Sequence, residues 1–252
     1  MYTLACVMKI SFVIPAYNEE CLLPLCLQSI ERELARTPCE AEVIVVDNAS
    51  TDQTGAIARR HSSVRVVEEP VKGLVQARKS GFIASSGELV ANIDADTELT
   101  PGWIETVLKE FERDPLLVAL SGPYKYRDLS PFVSFWVTIF YFFGWLGHLF
   151  NQHVLGTGAM IQGGNFVLRR DAWEKAGGFD PSIKFYGEDT DVAKRIGRYG
   201  RVKWTWHLPM HTSGRRLAKE GVLRTGYVYA INFFSVTFWG RPVTNEYSDI
   251  RL

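Results

Sequence analysis

The chain has 252 residues, with 28 lysine and arginine side chains against 28 aspartates and glutamates. That length buries a substantial single core, so one domain with a large insertion is expected ahead of two independent ones. The balanced charge excludes an electrostatic case for nucleic acid as partner, and the arginine pairs at 59–60, 169–170 and 215–216 are too short and scattered to form a binding stripe.

Cys6, Cys21, Cys26 and Cys39 include no CxxC pair and read as reduced thiols of a cytoplasmic protein. The apolar stretch after Lys9 is too short for a signal peptide and reads as a first strand, with Met8 a possible start in its own right. Short β-branched runs at 10–14, 42–46, 64–67 and 89–93 read as strands separated by helix-length segments. Ser50 with Gln53 three residues on is a capping-box pattern that marks a helix start after the second strand. Such alternation implies parallel strands joined by right-handed crossovers, an α/β sheet with helices on both faces.

Ligands of these sheets bind outside the carboxyl ends of the strands. That rule gathers Tyr17-Asn18-Glu19, Asp47-Asn48-Ala49-Ser50 and Asp94-Ala95-Asp96 at one edge. Asp47 and Asp52 serve equally well as helix-start residues beside the dipole. Alternate residues of a strand point to opposite faces, so Asp94 and Asp96 share a site only if the strand ends there. The ending is supplied by the next residues, with Thr100 as cap of a helix whose first residue is Pro101. An acidic pair so placed suits a hard cation, magnesium or manganese, bridging to phosphate oxygens, although a solvated loop has the same composition.

Residues 132–150 contain no lysine, arginine, aspartate or glutamate and are dense in phenylalanine and tryptophan. The run approaches the ~20 residues of a membrane span. One crossing would put the aspartate pair and the C-terminal third on opposite sides, so the glycines at 144 and 147 are read as a break between two short helices that lie in an interface or pack on each other. Residues 227–239 extend the same aromatic surface. Beyond the insert, Gly163-Gly164-Asn165 opens a strand, and Glu188 and Asp189 stand at the start of a helical pattern over 190–199. Acids there are stabilised by free amides and the dipole, and one of them can equally face a substrate as general base. His207 and His211, after a strand at 201–206, are either satisfied polar residues or, when neutral, metal ligands.

Four segments in this order and spacing resemble the family 2 inverting glycosyltransferases: Val13-Ile14-Pro15-Ala16-Tyr17-Asn18-Glu19-Glu20, Val45-Val46-Asp47-Asn48-Ala49-Ser50-Thr51-Asp52, Asp94-Ala95-Asp96 and Gly187-Glu188-Asp189. The likeness covers about residues 10–216, the aromatic insert excepted. It implies a GT-A fold, with a Rossmann-like, mostly parallel central sheet in a single domain. Within it, 10–122 would be the nucleotide-sugar half, 131–155 an aromatic helical insert, 160–216 the acceptor and catalytic half, and 217–252 a C-terminal helix and tail.

The resemblance also implies roles. Pro15, Ala16, Tyr17 and Glu19 would line the nucleoside pocket, Tyr17 near the base and Glu19 near the ribose; Asp47 would accept a hydrogen bond from the base, which favours uracil, and Asn48, Gly73 and Arg78 would lie beside the nucleotide. Asp94 would hold the ribose or a metal-bound water, Asp96 the manganese or magnesium ion, and His211 a third metal position. Arg215 or Arg216 would meet the diphosphate, Gly163, Gly164 and Asn165 the acceptor, and Asp189 would be the base supported by Glu188. The expected partners are a nucleotide-sugar donor and a saccharide or lipid-linked acceptor of cell-envelope polysaccharide synthesis, with no nucleic acid. Peripheral contact with the cytoplasmic face of a membrane would run through 132–150 and 227–239. Polyprenyl-phosphate sugar synthases share the N-terminal motifs but attack with an ionised phosphate that needs no base. A nucleotidyltransferase would carry a glycine-rich loop after the first strand, and a non-catalytic docking subunit would leave the acidic motifs without purpose.

Overall fold

The computed structural model describes residues 8–150, 160–180, 182–183 and 185–244. The chain opens with β1 (Ile10–Ala16), α1 (Leu23–Arg36), β2 (Ala41–Asp47), α2 (Thr54–Arg60), β3 (Val64–Glu68), α3 (Leu74–Ala84) and β4 (Leu89–Ile93). Then come β5 (Thr97–Leu99), α4 (Trp103–Arg113), β6 (Leu117–Ser121), β7 (Tyr124–Tyr126) and the long α5 (Pro131–Phe150). The last part holds β8 (Asn165–Arg169), α6 (Arg170–Lys175), α7 (Glu188–Ile196), β9 (Arg201–Trp204), β10 (Met210–Thr212), α8 (Arg215–Glu220) and α9 (Val222–Trp239).

Among the described residues the strands form a seven-stranded sheet in the order β3-β2-β1-β4-β8-β6-β9 and a three-stranded sheet, β5-β10-β7. In the large sheet only β8 runs antiparallel to its neighbours. Every residue of β1 and β4 is buried, as a sheet covered on both faces requires. The period of two sorts them: Ile10, Phe12 and Ile14 join the core formed with α1 and α4, while Val13 joins Ile44, Val46 and Val90 beneath α3. A third cluster joins α6 and α7 to β8 through Phe166, Leu168, Trp173 and Val192.

The four strands expected in the first half are present, as are the one expected after Gly163-Gly164, seen as β8, and the one expected at 201–206, seen as the shorter β9. The local signals after them need correction. Helix α2 begins at Thr54, with Gln53 at its cap position and no side-chain cap. The Asp52 carboxylate takes the Thr54 amide (2.9 Å) and hydroxyl (2.5 Å), while the Ser50 hydroxyl accepts the Asn18 amide. The residues of the expected capping box are thus bound into the ligand-edge turns. Thr100 caps nothing either: it donates to the Pro209 carbonyl (2.6 Å), and α4 starts after Gly102, whose left-handed φ of 86° glycine tolerates. Strand β6 and the whole small sheet carried no signal strong enough to be expected.

The aromatic segment is one 20-residue helix and not two. A glycine in a helix costs only about 1 kcal/mol relative to alanine, too little to break a run this apolar. Residues 151–155, expected to belong to the insert, lie outside the described residues. Both ends of α5 return to one body, since β6 before it and β8 after it are hydrogen-bonded neighbours. A membrane crossing by α5 alone is therefore incompatible with the sheet.

Candidate active site

The carboxyl ends of β1, β2 and β4 carry three turns that are tied together. Asn18 and Ala49, both non-glycine residues with φ near 50–60°, hold left-handed conformations side by side. Thr51 donates its amide to Asn18 Oδ1 (2.8 Å), and the buried Glu19 donates its amide to Thr54 Oγ1 (2.8 Å). Backbone strain of this kind, about 1–3 kcal/mol per residue, persists where surrounding bonds enforce it and concentrates at ligand sites.

Next to these turns, Lys72 places its ammonium 3.7 Å from the centre of the Tyr17 ring, and Asp47 accepts the Ser50 amide (3.2 Å). Pro15 and Ala16 end β1 in the buried sheet, where the Ala16 carbonyl takes the Asn48 amide. Asn48 itself is buried, and its side-chain amide is committed to the backbone: it donates to Glu69 and Val71 and accepts the Gly73 amide (2.7 Å). It shapes the 69–73 loop and is not free for a base.

The second cluster joins the two halves of the chain. Arg78, fully buried on α3, bonds Glu188 at the start of α7 and lies 3.0 Å from Asp94. Tyr124 on β7 donates its hydroxyl to the Gly163 carbonyl and sits 3.2 Å from the other Asp94 oxygen. Gly164, at a left-handed φ of 79°, packs so tightly that a Cβ would overlap the Asp94 carboxylate and the Tyr124 hydroxyl. Asp189 is half-buried beside Gly163 and accepts the Thr190 amide (2.8 Å).

Burial drives the Glu188 carboxyl up to about 7 against the opposing pull of Arg78, and it raises Asp189 as well. Glu188 Oε1 and Arg78 Nε are buried without hydrogen-bond partners. Such orphaned atoms, on a charged pair at a helix start, mark a site built for charge rather than for stability.

Asp96 stands apart from this cluster, 3.0 Å from the Arg215 guanidinium, which also bonds Glu19. The small sheet explains why Arg215 and not His211 arrives there. Thr212 pairs with Thr97 and His211 with Glu98, so the chain runs on past Asp96 to Arg215. His211 alternates away from the buried Met210 and Thr212 onto the face of Glu98 and Lys125, where burial and Arg127 lower its proton affinity. It is not brought to the aspartates, and among the described residues no three His, Cys, Asp or Glu side chains converge on a metal-sized point.

Arg216 likewise faces elsewhere, held by Glu220 (2.9 Å) over the Phe185 ring. Asn165 is fully buried, accepting Trp103 Nε1 and donating to the Gly122 and Leu208 carbonyls, and so offers nothing to an acceptor. Tyr124 and Lys72 had no assigned role from sequence. Tyr124 lies on a three-residue strand with no pattern to announce it, whereas Lys72 was visible beside Gly73 and lacked only the partner ring.

A mostly parallel sheet whose ligand edge carries acidic turns, entered again by one antiparallel strand, defines a GT-A transferase fold. The chain belongs to glycosyl transferase family 2, whose family model matches residues 11–178. Glycosyltransferase GlyA of Streptococcus pneumoniae is 30% identical over 124 residues, 48% of this chain and 17% of that protein. The probable glycosyltransferase YdaM of Bacillus subtilis is 28% identical over 207 residues, 76% of this chain and 47% of its own length. The chain thus spans less than half of these relatives. Among solved structures, the mannosyltransferase PcManGT of Pyrobaculum calidifontis, in complex with GDP-mannose and Mn2+, shares the fold with a TM-score of 0.72 at 22% identity, covering 92% of this chain and 64% of that one.

Proposed function

We propose that this chain transfers a sugar from a nucleotide-diphosphate sugar, UDP-linked for preference, to a hydroxyl of a lipid-linked saccharide, inverting the anomeric carbon. The observation that carries the reading is the Arg78 bridge, which fastens Asp94 of the donor edge to the Glu188-Asp189 helix start. Asp189 takes the proton of the acceptor hydroxyl as that oxygen attacks the anomeric carbon from the side opposite the diphosphate. Tyr17 and Lys72 receive the base, and Asp94 and Gly164 meet the ribose. Gly163, whose backbone lies against Asp189, bounds the acceptor.

A manganese or magnesium ion fits the oxygens of Asp96 and Glu19, since that pair already holds a cation, the Arg215 guanidinium. One or two carboxylates plus substrate phosphate are the usual set for such an ion. When bound, it would offset charge on the departing diphosphate. A base poised beside Gly163 favours a hydroxyl acceptor over a phosphate one. Sugar release should therefore be seen from at least one donor in a panel of UDP- and GDP-sugars, and only when manganese or magnesium is supplied. Pyrophosphate exchange in its place would indicate nucleotidyl transfer, and silence across the panel would sink the proposal.

The lipid side of the acceptor rests on α5 and α9. Helix α5 buries only Tyr141 and His148 and exposes Phe132, Phe135, Trp136 and Phe143, and α9 exposes Tyr227, Phe238 and Trp239. On and next to these helices Lys125, Lys219, Arg224 and Arg241 are exposed, while Arg127, Arg215 and Arg216 are held by Glu98, by Glu19 with Asp96, and by Glu220. Aromatic surface rimmed by cations suits the interface of an anionic bilayer. Vesicles with phosphatidylglycerol should co-sediment the protein, and pure phosphatidylcholine should do so at least tenfold less well. The double change Trp136→Glu and Trp239→Glu should abolish binding; binding that survives it places the contact elsewhere.

A further inference from the structure

Arg215 shares its guanidinium between carboxylates delivered by two different strands, Glu19 after β1 and Asp96 after β4. Glu19 is buried and both Asp96 and Arg215 are half-buried, so solvent screens the contact only in part. Asp96 is also the residue that takes the cation under the function proposed above, on which this step rests. A guanidinium and a divalent ion at contact distance repel, so Asp96 serves one or the other.

We infer that Arg215 is a placeholder cation. It occupies Asp96 while the donor site is empty and turns to the diphosphate when nucleotide and metal enter, so that nucleotide and metal bind cooperatively. The surrounding geometry confines the movement to this one side chain. The backbone just before it is pinned, because Ser213 Oγ (3.0 Å) and the Gly214 amide (2.6 Å) both donate to Asp128. Its neighbour Arg216 is fixed on Glu220 and cannot replace it. The coupling is reciprocal: whatever factor the arginine costs the metal in the free protein, nucleotide binding returns.

The test is a Mn2+ titration followed by electron paramagnetic resonance of the free ion, with and without uridine or guanosine diphosphate, on wild type, Arg215→Gln and Arg216→Gln. Arg215→Gln should bind Mn2+ alone more tightly, within the roughly 5- to 150-fold range of such couplings. The enhancement by nucleotide should shrink by a matching factor. Arg216→Gln, which removes an equal charge one residue away, should stay near wild type. No tightening in Arg215→Gln, or equal tightening in both variants, overturns the placeholder while leaving nucleotide-dependent metal binding intact. Absence of Mn2+ binding in wild type even with nucleotide removes the metal from the proposed reaction and this inference with it. Should Arg215→Gln melt early, Arg215→Met carries the test: it keeps an unbranched apolar stem and carries no charge for Glu19 and Asp96 to hold, so Mn2+ alone should still bind tighter than to wild type, and equal affinity overturns the inference.

Discussion

Asp189→Asn is expected to lower kcat by about 10²- to 10⁴-fold, the usual contribution of a general base, while leaving the Kd of the nucleoside diphosphate unchanged. The asparagine can keep the hydrogen bond that the carboxylate accepts from the Thr190 amide, so the helix start survives and only the proton acceptor is lost. Because burial raises Asp189, the acid limb of the rate profile should lie above the ordinary carboxylate range near pH 4. A limb at that ordinary position, or a variant that turns over as fast as the parent, removes Asp189 from the mechanism.

Arg78→Ala should be the most damaging substitution for stability. It strands the Glu188 carboxylate, 5% exposed, without its counter-ion. Breaking a buried pair from one side typically costs about 3–5 kcal/mol, or roughly 6–20 °C in Tm for a chain of this size. The effect depends on pH in a defined sense. Glu188 has a higher proton affinity folded than unfolded, so ionising it costs stability as pH rises from the ordinary 4.5 to about 7 in the parent. Without Arg78 that affinity rises further, and the variant goes on losing stability where the parent has levelled off. The gap between the two melting curves should therefore widen above about pH 7. A gap that narrows there, or a Tm within 2 °C of the parent, would show that Arg78 does not hold Glu188.

What the sequence disclosed follows from range. Strands such as Leu89–Ile93 are announced by their own apolar run, and the Asp94-Ala95-Asp96 and Gly187-Glu188-Asp189 turns by their own acids. Helix caps misled because Ser50 and Thr100 found partners 32 and 109 residues away, Asn18 and Pro209, outside any local pattern. The destination of an arginine is equally invisible: nothing near Arg215 tells that its guanidinium reaches Asp96, nor near Asn165 that its amide is consumed by Trp103, Gly122 and Leu208. Three-residue strands such as β7 and β10 have too few positions to show a period, so the small sheet that delivers Tyr124 and Arg215 could not be anticipated.

The antiparallel seat of β8 between β4 and β6 has a consequence for dissection of the molecule. A fragment ending near residue 122 would keep every donor-edge turn yet leave one side of β4 a bare rim of unpaired amides and carbonyls, on a strand with no charged residue to discourage stacking by another chain. Such a piece would be prone to self-association, and the returning strand is what closes that rim in the whole sheet.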